Sequence, residues 1–219
     1  MSRTDYSYVG GLEMVKAGRV RAVDEAVGNT ESVRDRILST ARELFYREGA
    51  RSVGVDTVVA QSGVAKTSLY RWFPSKDALI AAVLEQEGLD RWTGWDRNLA
   101  RAPDSPLDQL RAQFTGLARY VSGPNFRGCP FLNVTVEFPD PEHPARKVAS
   151  EMSIELRRRV KGLVSQLGNI RDPEELTDQL LMLIDGALSS VHCLGKEPAQ
   201  KYLLTAADAL IAAQSTSKS

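Results

Sequence analysis

The chain has 219 residues, of which 42% are hydrophobic and 26% are charged, a balance typical of a folded globular protein and not of a disordered chain or a fibre. Its 28 basic side chains equal its 28 acidic ones, which excludes a strongly basic protein that binds nucleic acid through overall charge alone. The charge is nevertheless uneven. Residues 32–76 hold eight Lys or Arg and four Asp or Glu, which indicates a local basic surface.

Membrane, secretory and metal-binding classes find little support in the sequence. No apolar run approaches the roughly 20 residues that span a bilayer, and residues 1–30 lack the apolar stretch of a secretory signal. The two cysteines, Cys129 and Cys193, are too few for a disulfide scaffold and have no Cys or His at zinc-ligand spacing. We therefore expect a reduced, cytoplasmic protein with no membrane span, no metal and no cofactor.

The first three predicted elements form a helix-turn-helix. A helix begins after Ser32, which stands in a capping-box position with Asp35, and ends at Gly49. Two short helices follow, Val55–Ser62 and Lys66–Trp72, separated by a tight turn at Gly63. Short helices across a glycine turn, packed on a longer one, are typical of this DNA-binding motif, with Lys66–Trp72 as the recognition element.

The rest of the chain predicts further helices. Their apolar side chains recur at helical spacing, and the ranges are Ser75–Arg101, Ser105–Ser122, Ala145–Leu167, Glu174–Leu194 and Pro198–Ala213. Phe131–Phe138 is different, since it alternates apolar and polar residues and taken alone favours a strand.

The run from Gly63 to Leu79 resembles the signature of the tetracycline-repressor-like (TetR) family of bacterial transcriptional regulators. The spacing of Ala41, Leu44-Phe45 and Gly49 in the first helix supports this resemblance, which covers about fifty residues. It implies an all-α homodimer in which a three-helix DNA-binding domain precedes a larger helical domain for a ligand and for dimerisation. By the same analogy Phe131–Phe138 becomes a short helix.

The resemblance also implies how the chain is divided. We expect a flexible extension at 1–29, the helix-turn-helix domain at 30–78, the ligand-binding and dimerisation domain at 79–214 and a disordered tail at 215–219. The extension is either an arm that touches DNA through Arg19 and Arg21 or the product of an early translational start.

Residue by residue, the resemblance assigns DNA contacts to the second and third helices and the residues after them. The candidates are Thr57, Lys66, Thr67, Ser68, Tyr70, Trp72 and Lys76, to which we add Arg71. A lysine at this end of a groove-bound helix reaches guanine or phosphate, hydroxyls serve bases or backbone, and Tyr70 and Lys76 suit phosphate. Gly54 and Ala65 depart from the family pattern, because neither can cap its helix with a side chain.

Each of these side chains has a structural alternative. Lys66 and Arg71, taken in isolation, are solvated charges on a surface helix. For Tyr70 and Trp72 the alternative is packing against the first or fourth helix; a phosphate contact is favoured for Tyr70, whereas packing and DNA contact remain open for Trp72.

The predicted ligand cavity is carried by weaker signals. Phe114, Phe131, Met152 and Met182 are candidate lining residues, although each also suits an ordinary hydrophobic core. Cys129 is a candidate thiol sensor for electrophiles or oxidants, because Arg127 would lower the pKa of its thiol and the flanking Gly and Pro would expose it. The alternative for Cys129 is a buried apolar side chain.

We predict a ligand-responsive repressor that binds a palindromic double-stranded operator and is released by a small-molecule inducer. Dimerisation is expected through 174–194 and 198–213, with half-sites about 34 Å apart or a multiple of it. His143, His192 and the carboxylates of 137–142 form no catalytic pattern, so an enzyme is not expected. The alternatives are a carrier or enzyme that uses the C-terminal cavity without binding DNA, and an adaptor that binds a protein partner.

Overall fold

Residues 32–216 are described by the structure, a computed structural model, and the predicted extension at 1–29 lies outside them. The described part is all-α. Its helices are α1 (Val33–Glu48), α2 (Val55–Ser62), α3 (Lys66–Trp72), α4 (Lys76–Arg101), α5 (Pro106–Val121), α6 (Pro130–Glu137), α7 (Pro144–Ser165), α8 (Pro173–Leu194) and α9 (Glu197–Gln214). The predicted fold class is confirmed, and within 32–216 no helix is long and apolar enough to cross a membrane.

The ends of the helices follow from local chemistry. Ser32 accepts a hydrogen bond from the Asp35 amide at the start of α1, and Ser75 and Ser105 do the same for α4 and α5. Neither Gly54 nor Ala65 supplies a side-chain cap, as predicted. These contacts lie within three residues in sequence, so the sequence alone was enough to place them.

Segment α6 resolves the ambiguity between strand and helix. Pro130 occupies its first turn, and Phe131 and Val134 are buried three residues apart, on the same face of the helix. No strand lies within residues 32–216 to pair with it, so an extended conformation would leave its backbone groups without partners. The helix implied by the family resemblance is therefore confirmed.

Helix α4 is shared by two parts of the hydrophobic core. Its first half buries Leu79, Ile80 and Val83 against α1, and its second half buries Trp95 beside α5 and α7. The remaining helices α5 to α9 pack around one another, with α5 in contact with α4, α7, α8 and α9. A movement of α4 would therefore displace side chains in both parts of the hydrophobic core.

Ser215 and Thr216, which follow α9, contact the loop between α7 and α8. Ser215 forms an isolated antiparallel bridge with Ile170, and the Thr216 amide donates to the Asn169 carbonyl at 2.8 Å. The other residues of the predicted disordered tail, 217–219, lie outside the described part of the chain.

Candidate nucleic-acid interface and interior ligand site

The turn between α2 and α3 orients the recognition helix. Gly63 has φ +64, a left-handed conformation that a side chain disfavours, and its amide closes α2 on the Val59 carbonyl. Leu69 of α3 and Val58 of α2 are fully buried and attach both helices to α1. Because one face of α3 is fixed by Leu69, its other side chains point outward.

The outward-facing side chains include most of the predicted DNA contacts. Thr57, Lys66, Thr67, Tyr70, Arg71 and Trp72 are exposed, and Ser68 is half-buried. Tyr70 is 43% exposed and Trp72 is 50% exposed, so each aromatic ring has one part in contact with the protein and another free to reach a ligand. The structure thus brings these residues onto one short segment of surface.

An acidic neighbour holds Lys66 in place. The Lys66 Nζ atom lies 2.6 Å from Oδ1 of Asp56, in the first turn of α2. A side-chain hydrogen bond and the charge of Asp56 raise the pKa of Lys66, so the amine remains a cation. An incoming phosphate or guanine must compete with this carboxylate for the amine.

Lys76 lies elsewhere than the other predicted contacts. Its Nζ donates to the Arg51 carbonyl at 2.9 Å, and the side chain is half-buried. Burial lowers the pKa of Lys76, while the charges of Asp77 and Glu137 oppose that effect. In this arrangement Lys76 connects the start of α4 to the loop after α1.

One end of α6 is attached to α1 through Tyr46. The Tyr46 hydroxyl accepts from the Arg127 amide at 2.7 Å and donates to the Gly128 carbonyl at 3.1 Å. The Arg127 guanidinium donates in turn to the Tyr46 carbonyl at 2.9 Å. The loop that leads into α6 is thereby held by the helix-turn-helix domain.

The other end of α6 is attached to the loop after α1. An oxygen of Glu137 accepts from the Arg51 amide at 2.7 Å, and the Arg51 guanidinium donates to the Glu137 carbonyl at 3.3 Å. Between the two ends lies a cavity of about 30 Å³, room for about one or two water molecules, bordered by Tyr46, Glu87 and Asn133 among others. We call these contacts at Tyr46 and Arg51 the α6 clamp.

The candidate cavity residues do not lie together as a group. Phe114, Phe131 and Cys129 are buried, at 2%, 5% and 3% exposed. Met152 is half-buried against Gly88, so close that a Cβ there would lie 2.9 Å from the Met152 sulfur. Met182 is 74% exposed on the outside of α8, apart from the other four.

The predicted surroundings of Cys129 are wrong in two respects. The side chain is buried, because the Gly-Pro context starts α6 and turns the thiol inward, and Arg127 is occupied with Tyr46. Arg91 of α4 contacts it instead, with Nη2 at 3.3 Å from the sulfur. Burial as a small side chain is what the structure supports.

Arg91 is not among the residues predicted from the sequence, although its position carries a signal. Arg91 lies on the stripe of α4 formed by Ile80, Leu84, Gly88 and Trp95, which are all buried. A charged residue within a buried stripe is unusual, because burying a charge is costly unless it is paired. The same signal could have drawn attention to this position.

The two histidines have structural surroundings. His143 caps α7, since its Nδ1 accepts from the Ala145 amide, and its Nε2 lies 3.3 Å from Oδ1 of Asp77 on α4. His192 stacks on Phe126 with ring centroids 6.1 Å apart. Within residues 32–216 there is no cluster of three metal-ligating side chains.

A short recognition helix with outward polar side chains, followed by a larger helical domain, defines a helix-turn-helix transcriptional regulator. Residues 37–83 match the family described as bacterial regulatory proteins, tetR family, and 106–207 match the tetracyclin repressor-like C-terminal domain. The chain belongs to the TetR family. The regulator YjdC of Escherichia coli is 24% identical over 159 residues, 71% of this chain and 81% of that protein.

Solved structures agree with this assignment. The TetR-family regulator SCO4454 of Streptomyces coelicolor gives a TM-score of 0.79 at 31% identity, over 84% of this chain and 96% of that one. The regulator sav143 of Streptomyces avermitilis gives 0.74 at 30% identity, over 84% and 98%. These relatives are transcriptional regulators, so the chain is assigned to this class and not to enzymatic catalysis.

Proposed function

We propose that the protein is a repressor whose homodimer binds a palindromic operator through α2 and α3 and is released by a small-molecule inducer. The observation that carries the proposal is the single outward face of α2 and α3, where Thr57, Lys66, Thr67, Tyr70 and Arg71 are exposed around the buried anchor Leu69. Repression needs only occlusion of the promoter by the bound dimer. A protein that acts on chromosomal DNA works in the bacterial cytoplasm.

The proposed division of labour places residues 30–78 on the DNA and residues 79–214 on the ligand. Within the first part, Lys66, Thr67 and Ser68 read bases or backbone, and Tyr70, Arg71 and Trp72 hold phosphates. Lys76 joins them only if DNA draws its amine away from the Arg51 carbonyl. Thr57 approaches the backbone from α2.

Release by an inducer requires that occupancy of the C-terminal domain alters the distance between the two recognition helices. Two features support such coupling: α4 runs continuously through both parts, and the α6 clamp connects them a second time. We propose that the ligand rotates α4 and shifts α6, so that the half-site spacing of about 34 Å is lost. A ligand that binds free and DNA-bound dimers with equal affinity would contradict this.

The test of DNA binding is a salt-dependent titration of the protein against the DNA that flanks its own gene. Lys66→Ala should weaken binding at least tenfold and reduce the log–log salt slope by about 0.9 if a phosphate contact is lost. Lys147→Ala is a matched control: Lys147 is 54% exposed and paired to Glu142, whereas Lys66 is 53% exposed and paired to Asp56.

Two results would count against the proposal. The flanking DNA could bind no better than random duplex of the same length, or Lys147→Ala could weaken binding as much as Lys66→Ala. Reporter transcription in the presence of the protein gives the regulatory sign, and activation instead of repression would overturn the repressor assignment alone.

A second candidate function is thiol sensing at Cys129, which the Arg91 contact at 3.3 Å favours because a ligand that displaces Arg91 would uncover this buried sulfur. An unsaturated carbonyl compound would form an S–C bond with Cys129, and the thiol proton would pass to its α-carbon. Cys193 is exposed, so it is replaced by Ser in both proteins compared. N-ethylmaleimide should abolish operator binding by Cys193→Ser but not by the double variant Cys129→Ser with Cys193→Ser, and equal sensitivity of the two would end the sensor hypothesis.

A further inference from the structure

Arg91 of α4 contacts the start of α6, and its charge acts on side chains of α5 and α8; we call these residues the Arg91 cluster. The guanidinium carbon lies 5.2 Å from the centroid of the Phe131 ring, and one nitrogen lies 3.3 Å from the Cys129 sulfur. Within residues 32–216 no carboxylate oxygen lies within 4.0 Å of the guanidinium nitrogens of Arg91. By contrast, Arg157 and Arg159 of the same domain are each paired with carboxylates.

This environment leaves the binding capacity of Arg91 largely unused. A guanidinium presents five N–H donors in a planar fork, whereas a thiol is a weak acceptor. Because Arg91 sits on a stripe that is otherwise buried, its charge has lost part of its hydration without gaining an ion pair. Such a group is well prepared to accept an anion.

The cluster has a buried floor and an exposed rim. Cys129 and Phe131 form the floor, and both are buried. Tyr120 of α5, 45% exposed, and the exposed Asp185 of α8 form the rim, since the charge of Arg91 acts on both side chains. Although Asp185 is exposed as a residue, partial desolvation of its carboxyl raises the pKa of that group, and the charge of Arg91 opposes the rise.

We propose that the Arg91 cluster binds the carboxylate of a small organic acid with an aromatic or apolar body. The planar fork of Arg91 matches the two oxygens of a carboxylate, and Phe131 and Tyr120 offer apolar surface for the rest of the molecule. Asp185 on the rim repels additional negative charge, which favours a monocarboxylate over a phosphate ester or dicarboxylate.

The position of the cluster links it to the DNA-binding part, and in this respect the inference rests on the proposed function. Cys129, which contacts Arg91, follows directly on Arg127 and Gly128, which bond to Tyr46 of α1. A ligand carboxylate that binds the Arg91 guanidinium breaks the contact of Arg91 with the Cys129 sulfur at the start of α6. The same loop then transmits the change to the helix-turn-helix domain.

A second basic surface provides the control. Arg101, Arg111 and Arg119 border an open cleft of about 300 Å³ between α4 and α5. Arg111 is already paired with Asp208 and Asp108, and Arg101 lies on the same helix as Arg91. If a carboxylate binds to any accessible arginine without further selectivity, it should bind in this cleft as tightly as at the Arg91 cluster.

The experiment measures binding of benzoate, phenylacetate and hexanoate to the full chain by calorimetry, with the corresponding neutral amides beside them. We expect at least one of the acids to bind at least tenfold more tightly than its neutral amide. Arg91→Met should weaken binding of that acid at least tenfold, whereas Arg101→Met should leave its affinity within twofold of the original. Asp185→Asn should strengthen binding because a repelling charge is removed.

The inference is overturned if none of the acids binds at 10 mM, if acid and amide bind equally, or if Arg101→Met rather than Arg91→Met abolishes binding. Should Arg91→Met fail to fold, Arg91→Lys retains the charge without the fork and is expected to weaken the acid by several-fold. Operator binding is measured on the same proteins without acid. Intact operator binding with no carboxylate site refutes this inference and leaves the proposed function standing.

Discussion

At the scale of single residues, the central feature is the competition for Lys66. The Lys66 Nζ and Asp56 Oδ1 atoms lie 2.6 Å apart, and both side chains are exposed. Because solvent screens the two charges, the ion pair adds little to the stability of the fold. Near DNA the same carboxylate repels phosphate and occupies the amine that is proposed to contact the operator. We therefore expect Asp56 to restrain operator binding more than it supports the fold.

We predict that Asp56→Asn tightens operator binding several-fold without changing the midpoint of chemical denaturation. The reason is that a negative charge beside the DNA is lost and the Lys66 amine is freed. Fluorescence anisotropy with labelled operator at two salt concentrations provides the measurement. Glu43→Gln, which removes an exposed partner of Arg47 on α1, serves as the control; an equal gain there would mean that overall charge alone is responsible.

At the scale of secondary-structure elements, α6 is an eight-residue helix attached to the helix-turn-helix domain at both ends. A helix of this length is not stable by itself. Its stability comes from the buried Phe131 and Val134 and from the α6 clamp. Loss of the clamp contacts at either end should therefore destabilise the whole helix.

We predict that Tyr46→Phe lowers the free energy of unfolding by about 1 kcal/mol, because hydrogen bonds to Arg127 and Gly128 are lost. Amide hydrogen exchange should accelerate over residues 127–138 and at the end of α1, while α8 is unchanged. Thr135→Ala is the control, since within the described residues the Thr135 hydroxyl donates to carbonyls of its own helix alone. Acceleration spread evenly over the molecule would argue against a specific role for the clamp.

At the scale of the whole molecule, the outer face of α8 is the best candidate for contact with a second copy. Met182, Gly186, Ser189 and Cys193 are exposed and lie on one stripe. Tyr202 of α9 is also 63% exposed. Small residues between larger ones allow two helices to approach closely, as the proposed dimer interface requires.

We predict that Gly186→Leu weakens dimerisation at least tenfold. A Cβ at Gly186 meets nothing within 4 Å in the single chain, so the leucine disturbs the interface and not the fold. Light scattering over a dilution series measures the dimer, and Gly162→Leu on α7, an equally open position, is the control. A Gly186→Leu protein that remains dimeric at nanomolar concentration would place the interface elsewhere.

Local chemistry explains what could be predicted from the sequence. The start of α1 at Ser32, the turn at Gly63 and the limits of α2 and α3 depend on residues within a few positions of one another, so composition and spacing specify them. The exposure of α3 around Leu69 follows from the same periodicity, and the family followed from the motif that begins at Gly63.

Only the tertiary structure decided the rest, because the deciding contacts join distant parts of the chain. Tyr46 meets Gly128 across 82 positions, and Arg91 meets Cys129 across 38, so neither pair leaves a pattern in sequence. Local alternation favoured a strand at Phe131–Phe138, whereas packing made it a helix. The sequence by itself determined the helices and the DNA-binding motif; the contacts that connect this motif to the interior site depend on how the helices pack.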